Sequence, residues 1–200
     1  MDNQFKFYYW GPFLYHTKIK NDECSLLLAH SKKIKNTYKL KQDKKYKNKL
    51  TGIIKEEYSL DNSVFHNAIK PYILNYLEKA KHFYNKDISH EVITDGVWVN
   101  FMRAGDFNPP HNHDGDLSCV LFIDVPKKLK EEYDNHTSPA TGPGSLNFQY
   151  GERKNLLTTD LNFFPEAGDF FIFPSHLIHW VFPFKSNGER ISIAANFLLK

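Results

Sequence analysis

Beyond about residue 88 the chain is written in short apolar runs divided by Gly, Pro and Asn, and the runs rich in β-branched and aromatic residues predict strands at 96–103, 117–125, 145–150, 169–173, 179–184 and 190–199. The first half is patterned differently. Aromatic residues alternate irregularly over 5–19 around Trp10-Gly11-Pro12, which predicts a strand, a turn and a second extended piece. Asp22 is placed to cap a helix over 22–34, where Leu26, Leu27, Ala29 and Ile34 supply part of an apolar face. A longer helix, capped by Asp61 or Ser63 and running to about residue 84, carries Val64, Ala68, Tyr72, Leu77 and Ala80 near the helical period, with Glu78, Lys79 and Lys81 among them. Pro71 should distort that helix or split it near residue 70. Helices followed by several short strands predict an α+β, mainly β fold. The expected form is a jelly roll (double-stranded β-helix), with an N-terminal strand and helical buttress over 1–87 and a jelly-roll core over 88–200 of one domain, 1–200.

Composition narrows the picture. A chain of 200 residues with 41% hydrophobic and 16% aromatic residues is long enough for one sizeable core. Its net charge of +3 hides an uneven distribution: ten lysines against Asp43 between Lys32 and Lys55 give that segment +9 and leave the remainder at −6. Lysines interleaved with Tyr38 and Tyr46 suit phosphate-bearing partners such as nucleic acid, but no arginine reinforces the cluster, and a solvated face is the simpler reading. Cys24 and Cys119 are isolated in apolar surroundings, which fits a reducing compartment. The start, Met1-Asp2-Asn3-Gln4, is polar, and no apolar run approaches the roughly 18 residues that a spanning helix needs. The expectation is a cytoplasmic protein without a membrane partner.

The chemistry concentrates in three places: Asn108-Pro109-Pro110-His111-Asn112-His113-Asp114-Gly115-Asp116, Pro174-Ser175-His176-Leu177-Ile178-His179, and Arg190-Ile191-Ser192. Residues two apart on an extended segment face the same way, so His111 and His113 can aim two imidazoles at one point, with His179 as a third ligand. A site with three protein ligands and open positions suits oxygen chemistry at non-haem Fe(II). Ten histidines in the chain make a close pair unsurprising alone; it is the order of these elements, with Arg190 and Ser192 on one strand face beyond them, that marks a metal site beside an anion clamp. Asp114 and Asp116 compete with His113 for the third ligand position, and His176 is a loop residue, a supporting partner or, last in order, a ligand; strand alternation favours three histidines. Trp98, Phe101, Phe107 and Trp180 are candidates to shield the mouth.

The order His111-x-His113, Leu117-Ser118 opening a strand that ends in Asp124-Val125-Pro126, Phe173-Pro174-Ser175 with His179, then Arg190-Ile191-Ser192-Ile193-Ala194-Ala195-Asn196-Phe197 resembles the 2-oxoglutarate and Fe(II)-dependent oxygenase superfamily. It is similar, more narrowly, to oxygenases found in marine bacteria and tailed phages, and for a phage-encoded protein the compartment would be the host cytoplasm. The resemblance covers about 94–200 and, loosely, the whole chain. It implies Fe(II), 2-oxoglutarate and O2 as cofactor and co-substrates, and hydroxylation of an unidentified substrate with release of succinate and CO2. It implies His111 and His179 as metal ligands, Arg190 as partner of the distal carboxylate of 2-oxoglutarate, Ser192 as a further donor to it, and Asn100 and Asn196 as lining of the co-substrate pocket. The chain departs from the superfamily's usual His-x-Asp in having His113 at the second position. Two other classes compete: a cupin-like three-histidine metalloenzyme that does without 2-oxoglutarate, and a nucleic-acid-binding module using the 32–55 segment.

Overall fold

Two antiparallel sheets face one another, and the parity of side chains along their strands decides what each face meets. The structure, a computed structural model, describes residues 5–9, 11–41, 52–88, 91–152 and 159–200. Trp10 and much of the lysine-rich segment, residues 42–51, lie outside the described residues. In chain order the elements are β1 (Phe5–Tyr9), β2 (Phe13–Lys18), α1 (Asn21–Lys41), β3 (Glu57–Ser59), α2 (Asn62–Tyr84), β4 (Val92–Met102) and β5 (Asn108–His111). There follow β6 (Leu117–Asp124), α3 (Lys127–Asp134), β7 (Leu146–Gln149), β8 (Asp160–Phe163), β9 (Asp169–Pro174), β10 (Ile178–Val181) and β11 (Arg190–Leu199). The larger sheet has the order β1-β2-β9-β6-β11-β4-β3 and the smaller β5-β10-β7-β8. The fold is a jelly roll.

Strands at the middle of the larger sheet are covered on both faces, which is why they read as nearly unbroken apolar runs. Along β9, Phe170 and Ile172 point to the helix side, where they join Phe65, Ile69 and Tyr76 of α2 and Leu27 of α1. Phe171 and Phe173 point the other way, into the space between the sheets, with Leu14, Phe122, Leu146 and Phe148. The same alternation sends Ile191, Ile193 and Ala195 of β11 under the helices, leaving Arg190, Ser192 and Ala194 facing inward.

Several sequence expectations need correction. α1 starts at Asn21, with Asp22 in its first turn, and runs to Lys41 instead of ending near residue 34. Its inward stripe is continued by Ser31 and Lys35, both buried, and by half-buried Tyr38, which packs on Tyr58; polar residues hid that stripe from a count of apolar spacing. α2 is capped by Asp61, which accepts hydrogen bonds from the Ser63 amide at 2.8 Å and hydroxyl at 2.6 Å, and ends at Asn85 with φ 48°. It is unbroken through Pro71. Pro71 and Asn67, whose carbonyl loses its donor, are both exposed, so water can replace the missing N–H. β3, β5, β8 and α3 were not anticipated: β5 contains Pro109-Pro110, which read as a chain break, and α3 is charged with only Leu129 buried. As the outer strand of its sheet, β5 tolerates two residues that cannot donate to a ladder.

A buried cluster of charges ties α1 to this scaffold. Lys35 Nζ lies 2.8 Å from Glu56 Oε2 and 2.5 Å from Glu189 Oε1, and Arg103 Nη2 lies 2.8 and 2.9 Å from the same two oxygens. The Lys35 ammonium also stands 4.2 Å from the centroid of Phe101. The cluster joins the entry to β3, the residue after β4 and the residue before Arg190. Removing Lys35 takes one of the two cations that the described residues place on Glu56 and Glu189 and leaves them the half-exposed Arg103, so Lys35→Met should lower unfolding free energy by about 3 kcal/mol. Equilibrium denaturation in urea measures this; a change below ~0.5 kcal/mol would show that apolar packing replaces the pair without loss.

Candidate metal centre and anion pocket

β10 lies between β5 and β7, and its register puts His179 directly opposite His111. Two residues past His111, His113 leaves the end of β5 and is held by its own amide, which donates to the Ser175 carbonyl at 2.9 Å. That carbonyl belongs to the 174–177 turn, which in turn receives support from the 113–116 loop: the Ser175 amide donates to Asp116 O at 3.1 Å and the Ser175 hydroxyl to Gly115 O. Gly115 has φ +94°, and a Cβ there would stand 3.0 Å from Phe197 O, so this crossing of backbones suits glycine. The consequence is convergence. His111, His113 and His179 each offer a ring nitrogen within 4.8 Å of the others, with ring centroids 4.9, 4.3 and 5.1 Å apart.

The tautomers follow from the hydrogen bonds. Nδ1 of His111 is 2.6 Å from Pro109 O and Nδ1 of His179 is 2.9 Å from Leu177 O. A carbonyl only accepts, so both Nδ1 atoms carry the proton and both Nε2 lone pairs are left for a ligand. Burial keeps the set neutral. It lowers the pKa of His111, and burial together with neighbouring His111 lowers His113 to about 4. His179 is pushed well below the ordinary imidazole range, by burial first and then by His111 and His113. Three neutral imidazoles at this spacing are a donor set that fits a first-row divalent ion such as Fe(II).

One cavity joins this triad to Arg190, Ser192, Asn100 and Trp98. Arg190 is 2% exposed, and among the described residues none of its hydrogen bonds goes to a carboxylate. Nη1 donates to Gly144 O at 2.6 Å, Nη2 lies 2.7 Å from Met102 Sδ, the guanidinium stands 5.3 Å from the Phe122 centroid, and among the described residues Nε has no acceptor. Burial lowers its pKa to about 9, so at neutral pH it is still a cation. A buried, charged fork with an unused donor is built to receive an anion.

The structure brings some of the expected positions together and leaves others apart. Asp116 is exposed and its Oδ2 accepts from the Leu199 amide at 2.8 Å; Asp114 and His176 are also exposed and stand outside the triad. Asn196 shares a strand face with Arg190, yet it accepts from Ser118 Oγ at 2.8 Å and does not line the cavity. Trp98 does line it, 5.7 Å from His113 between centroids, whereas Phe101 packs on the opposite face beneath Tyr58. Phe107 and Trp180 are half-buried and do not line it either. Sequence reasoning missed Glu57 and Asn108 in the cavity wall. Asn108 stood in the quoted motif, but Glu57 sits on a three-residue strand beside the lysine-rich stretch and carries no local signal.

Comparison with known proteins follows the same line. Residues 96–196 match a family model described as "Putative 2OG-Fe(II) oxygenase", about half of the chain. No curated protein matches. Among solved structures, the chain resembles the viral collagen prolyl hydroxylase of Paramecium Bursaria Chlorella virus-1 in its 2OG complex, with 14% identity, TM-score 0.58, and coverage of 95% of this chain and 98% of that one. A Pseudomonas putida prolyl-4-hydroxylase gives 13% identity and TM-score 0.57 over 100% and 94% of the two chains. The α-ketoglutarate-dependent epimerase SnoN from nogalamycin biosynthesis gives 11% and 0.60 over 92% and 78%. At such identities the structural likeness speaks to the fold.

The depressed imidazoles have a stability consequence. In the unfolded chain they take up protons below about 6.5, while in the folded chain His113 does so only near 4. Stability is therefore present above pH 6.5 and is lost as pH falls through that window. Urea midpoints measured in chelator at pH 7.5, 6 and 5 should decline, with a shallower decline for His113→Asn. A pH-independent midpoint would show that the three rings are not held neutral.

Proposed function

The chain belongs to the 2OG-Fe(II) oxygenase family, and from that premise we propose that it is a hydroxylase whose Fe(II) is held by His111, His113 and His179 and whose 2-oxoglutarate is held by Arg190 and Ser192. The observation that carries this reading is one cavity shared by three neutral imidazoles and a buried guanidinium with an unused donor. Fe(II) bound there supplies oxygen activation coupled to conversion of 2-oxoglutarate into succinate and CO2. The chain's own residues orient and exclude. Arg190 matches the planar fork of a carboxylate, and Ser192, two residues along β11 on the same face, adds a hydroxyl donor. The guanidinium is fixed beforehand by Gly144 O, so little side-chain freedom is lost on binding. Gly144 itself has φ +72°, and a Cβ there would press on Leu129 at 2.9 Å. Trp98 and Phe173 line the cavity near the histidines and keep it dry.

A cupin-like enzyme binding substrate directly at three histidines has no use for a carboxylate clamp, and Arg190 is the residue that separates the two. Calorimetry on protein loaded with Zn(II), a redox-inert ion, tests it. Arg190→Ala should keep the metal and lose about 30-fold to several thousand-fold in 2-oxoglutarate affinity, the equivalent of roughly 2–5 kcal/mol. Arg190→Lys should recover part of that loss, because a point charge lacks the fork. Unchanged affinity in Arg190→Ala would remove the clamp. His179→Ala should abolish stoichiometric metal binding, and full occupancy in that variant would remove the triad.

A further inference from the structure

By strand parity Asn108 should not reach the cavity. It lies three residues before His111 on β5, and on a regular strand an odd spacing sends two side chains to opposite faces. Both nevertheless line the same cavity. The pairing explains this: His179 and Val181, two apart on β10, stand opposite His111 and Asn108, three apart on β5, so β5 carries one extra residue in the stretch that holds Pro109 and Pro110. That bulge turns Asn108 back inward. On its other side the chain is pinned at Phe107, whose carbonyl accepts from the Ile53 amide at 2.7 Å and whose amide donates to Ile53 O at 3.4 Å. Gly52, next to Ile53, also lines the cavity, and a Cβ on it would stand 3.2 Å from Asn108 Oδ1. The φ of Gly52 is not positive, so this glycine serves the space in front of the amide and not a turn.

The bulge aims an unfinished hydrogen bond. Asn108 Oδ1 is buried, and among the described residues nothing donates to it. A buried acceptor without a donor is costly, so a side chain held in that state by a bulge calls for a partner from outside the chain. 2-Oxoglutarate at neutral pH has only acceptor oxygens and cannot be that donor. An asparagine amide carries an acceptor and a donor on one edge, and exchanging its oxygen and nitrogen leaves the same pair. The matching group is an amide with its own N–H and C=O on one edge, which closes two hydrogen bonds at once. A primary carboxamide has such an edge, as does a cyclic amide of the lactam or nucleobase kind, whereas a trans peptide bond points the two groups apart. His111 is at most about 10 Å along β5 from Asn108, so a molecule held there lies within reach of the triad. Taking the Fe(II) and 2-oxoglutarate assignment above as given, we propose that Asn108 recognises the substrate through a one-edge amide, a primary carboxamide or a cyclic amide. Asn108 is the specificity-determining residue of the reaction.

The test uses the full chain loaded with Zn(II) and saturated with 2-oxoglutarate, titrated by ligand-observed NMR with four small probes: 2-piperidone, butyramide, N-methylacetamide and cyclohexanone. 2-Piperidone and butyramide should each bind about 10-fold more tightly than the other two, and the order between them tells a cyclic from an open-chain amide. Asn108→Leu, which keeps the volume and removes both polar atoms, should bring the four probes within about 3-fold of one another while leaving 2-oxoglutarate affinity as it was. Equal binding of 2-piperidone and cyclohexanone by the wild-type chain overturns the proposal. So does a preference that survives in Asn108→Leu, which would move the recognition to Asn100, a second acceptor in the lining whose buried Oδ1 has no donor among the described residues. Weakened 2-oxoglutarate binding in Asn108→Leu also overturns it, by placing the amide at the co-substrate end. If that variant does not fold, Gly52→Ala sets a methyl in the approach to Asn108 Oδ1: a reduced amide preference supports the proposal, and an unchanged one overturns it. Failure of the wild-type chain to bind 2-oxoglutarate sinks the co-substrate assignment instead, and the amide preference measured with Zn(II) alone still decides the role of Asn108.

Discussion

The pairing of β10 with β5 is the constraint on which the site depends. It is an antiparallel register between segments almost seventy residues apart, and it puts His179 opposite His111. Without it the two imidazoles would sit on unrelated strands. Pro109 and Pro110 cannot donate to a ladder, so β5 pairs only briefly and its register shifts between His179 and Val181. The strand ends at His111, just before His113 leaves it to face its partners. The 174–177 turn then fixes His113 through the Ser175 carbonyl, and the same turn delivers His179 two residues later. One short ladder thus sets all three rings.

Electrostatically the pocket is divided. The triad is neutral because burial disfavours the imidazolium form, and the guanidinium is charged because even a pKa lowered to about 9 leaves it protonated near neutrality. A metal ion arriving at three neutral ligands keeps its full charge, whereas a carboxylate ligand in place of His113 would cancel part of it. That difference shifts the demand for negative charge onto what binds next, and an anionic co-substrate is the natural match. Of the two acids that follow His113, Asp114 stands outside the triad and Asp116 has its carboxylate on the amide of Leu199.

What the sequence made legible was periodic or ordered. Alternation in β6, β9 and β11, the helical spacing of α2, and the sequence order of His111, His179 and Arg190 all survive into the structure. The lost features share a cause: their defining residues are polar or conformationally unusual and gain meaning only from distant partners. Lys35 reads as one more surface lysine until Glu56 and Glu189 are brought to it. β5 reads as a loop because of its prolines, and Glu57 as a solvated acid because β3 is recognisable only when paired with β4. Asn196 went the other way: its parity was read correctly, but Ser118 on the neighbouring strand already occupies its side-chain oxygen.

The larger sheet separates stability from chemistry by parity alone. On β11, Ile191, Ile193 and Ala195 are committed to the core beneath the helices, and Arg190, Ser192 and Ala194 to the cavity. A slip of one residue would exchange the two sets, burying a guanidinium under α1 and α2 and lining the pocket with isoleucine. The long ladders β11 makes with β4 and β6 resist such a slip through every apolar pair on the helix side. The apolar core therefore does more than stabilise. It holds the register that keeps a charged residue in the one place where an anion can reach it.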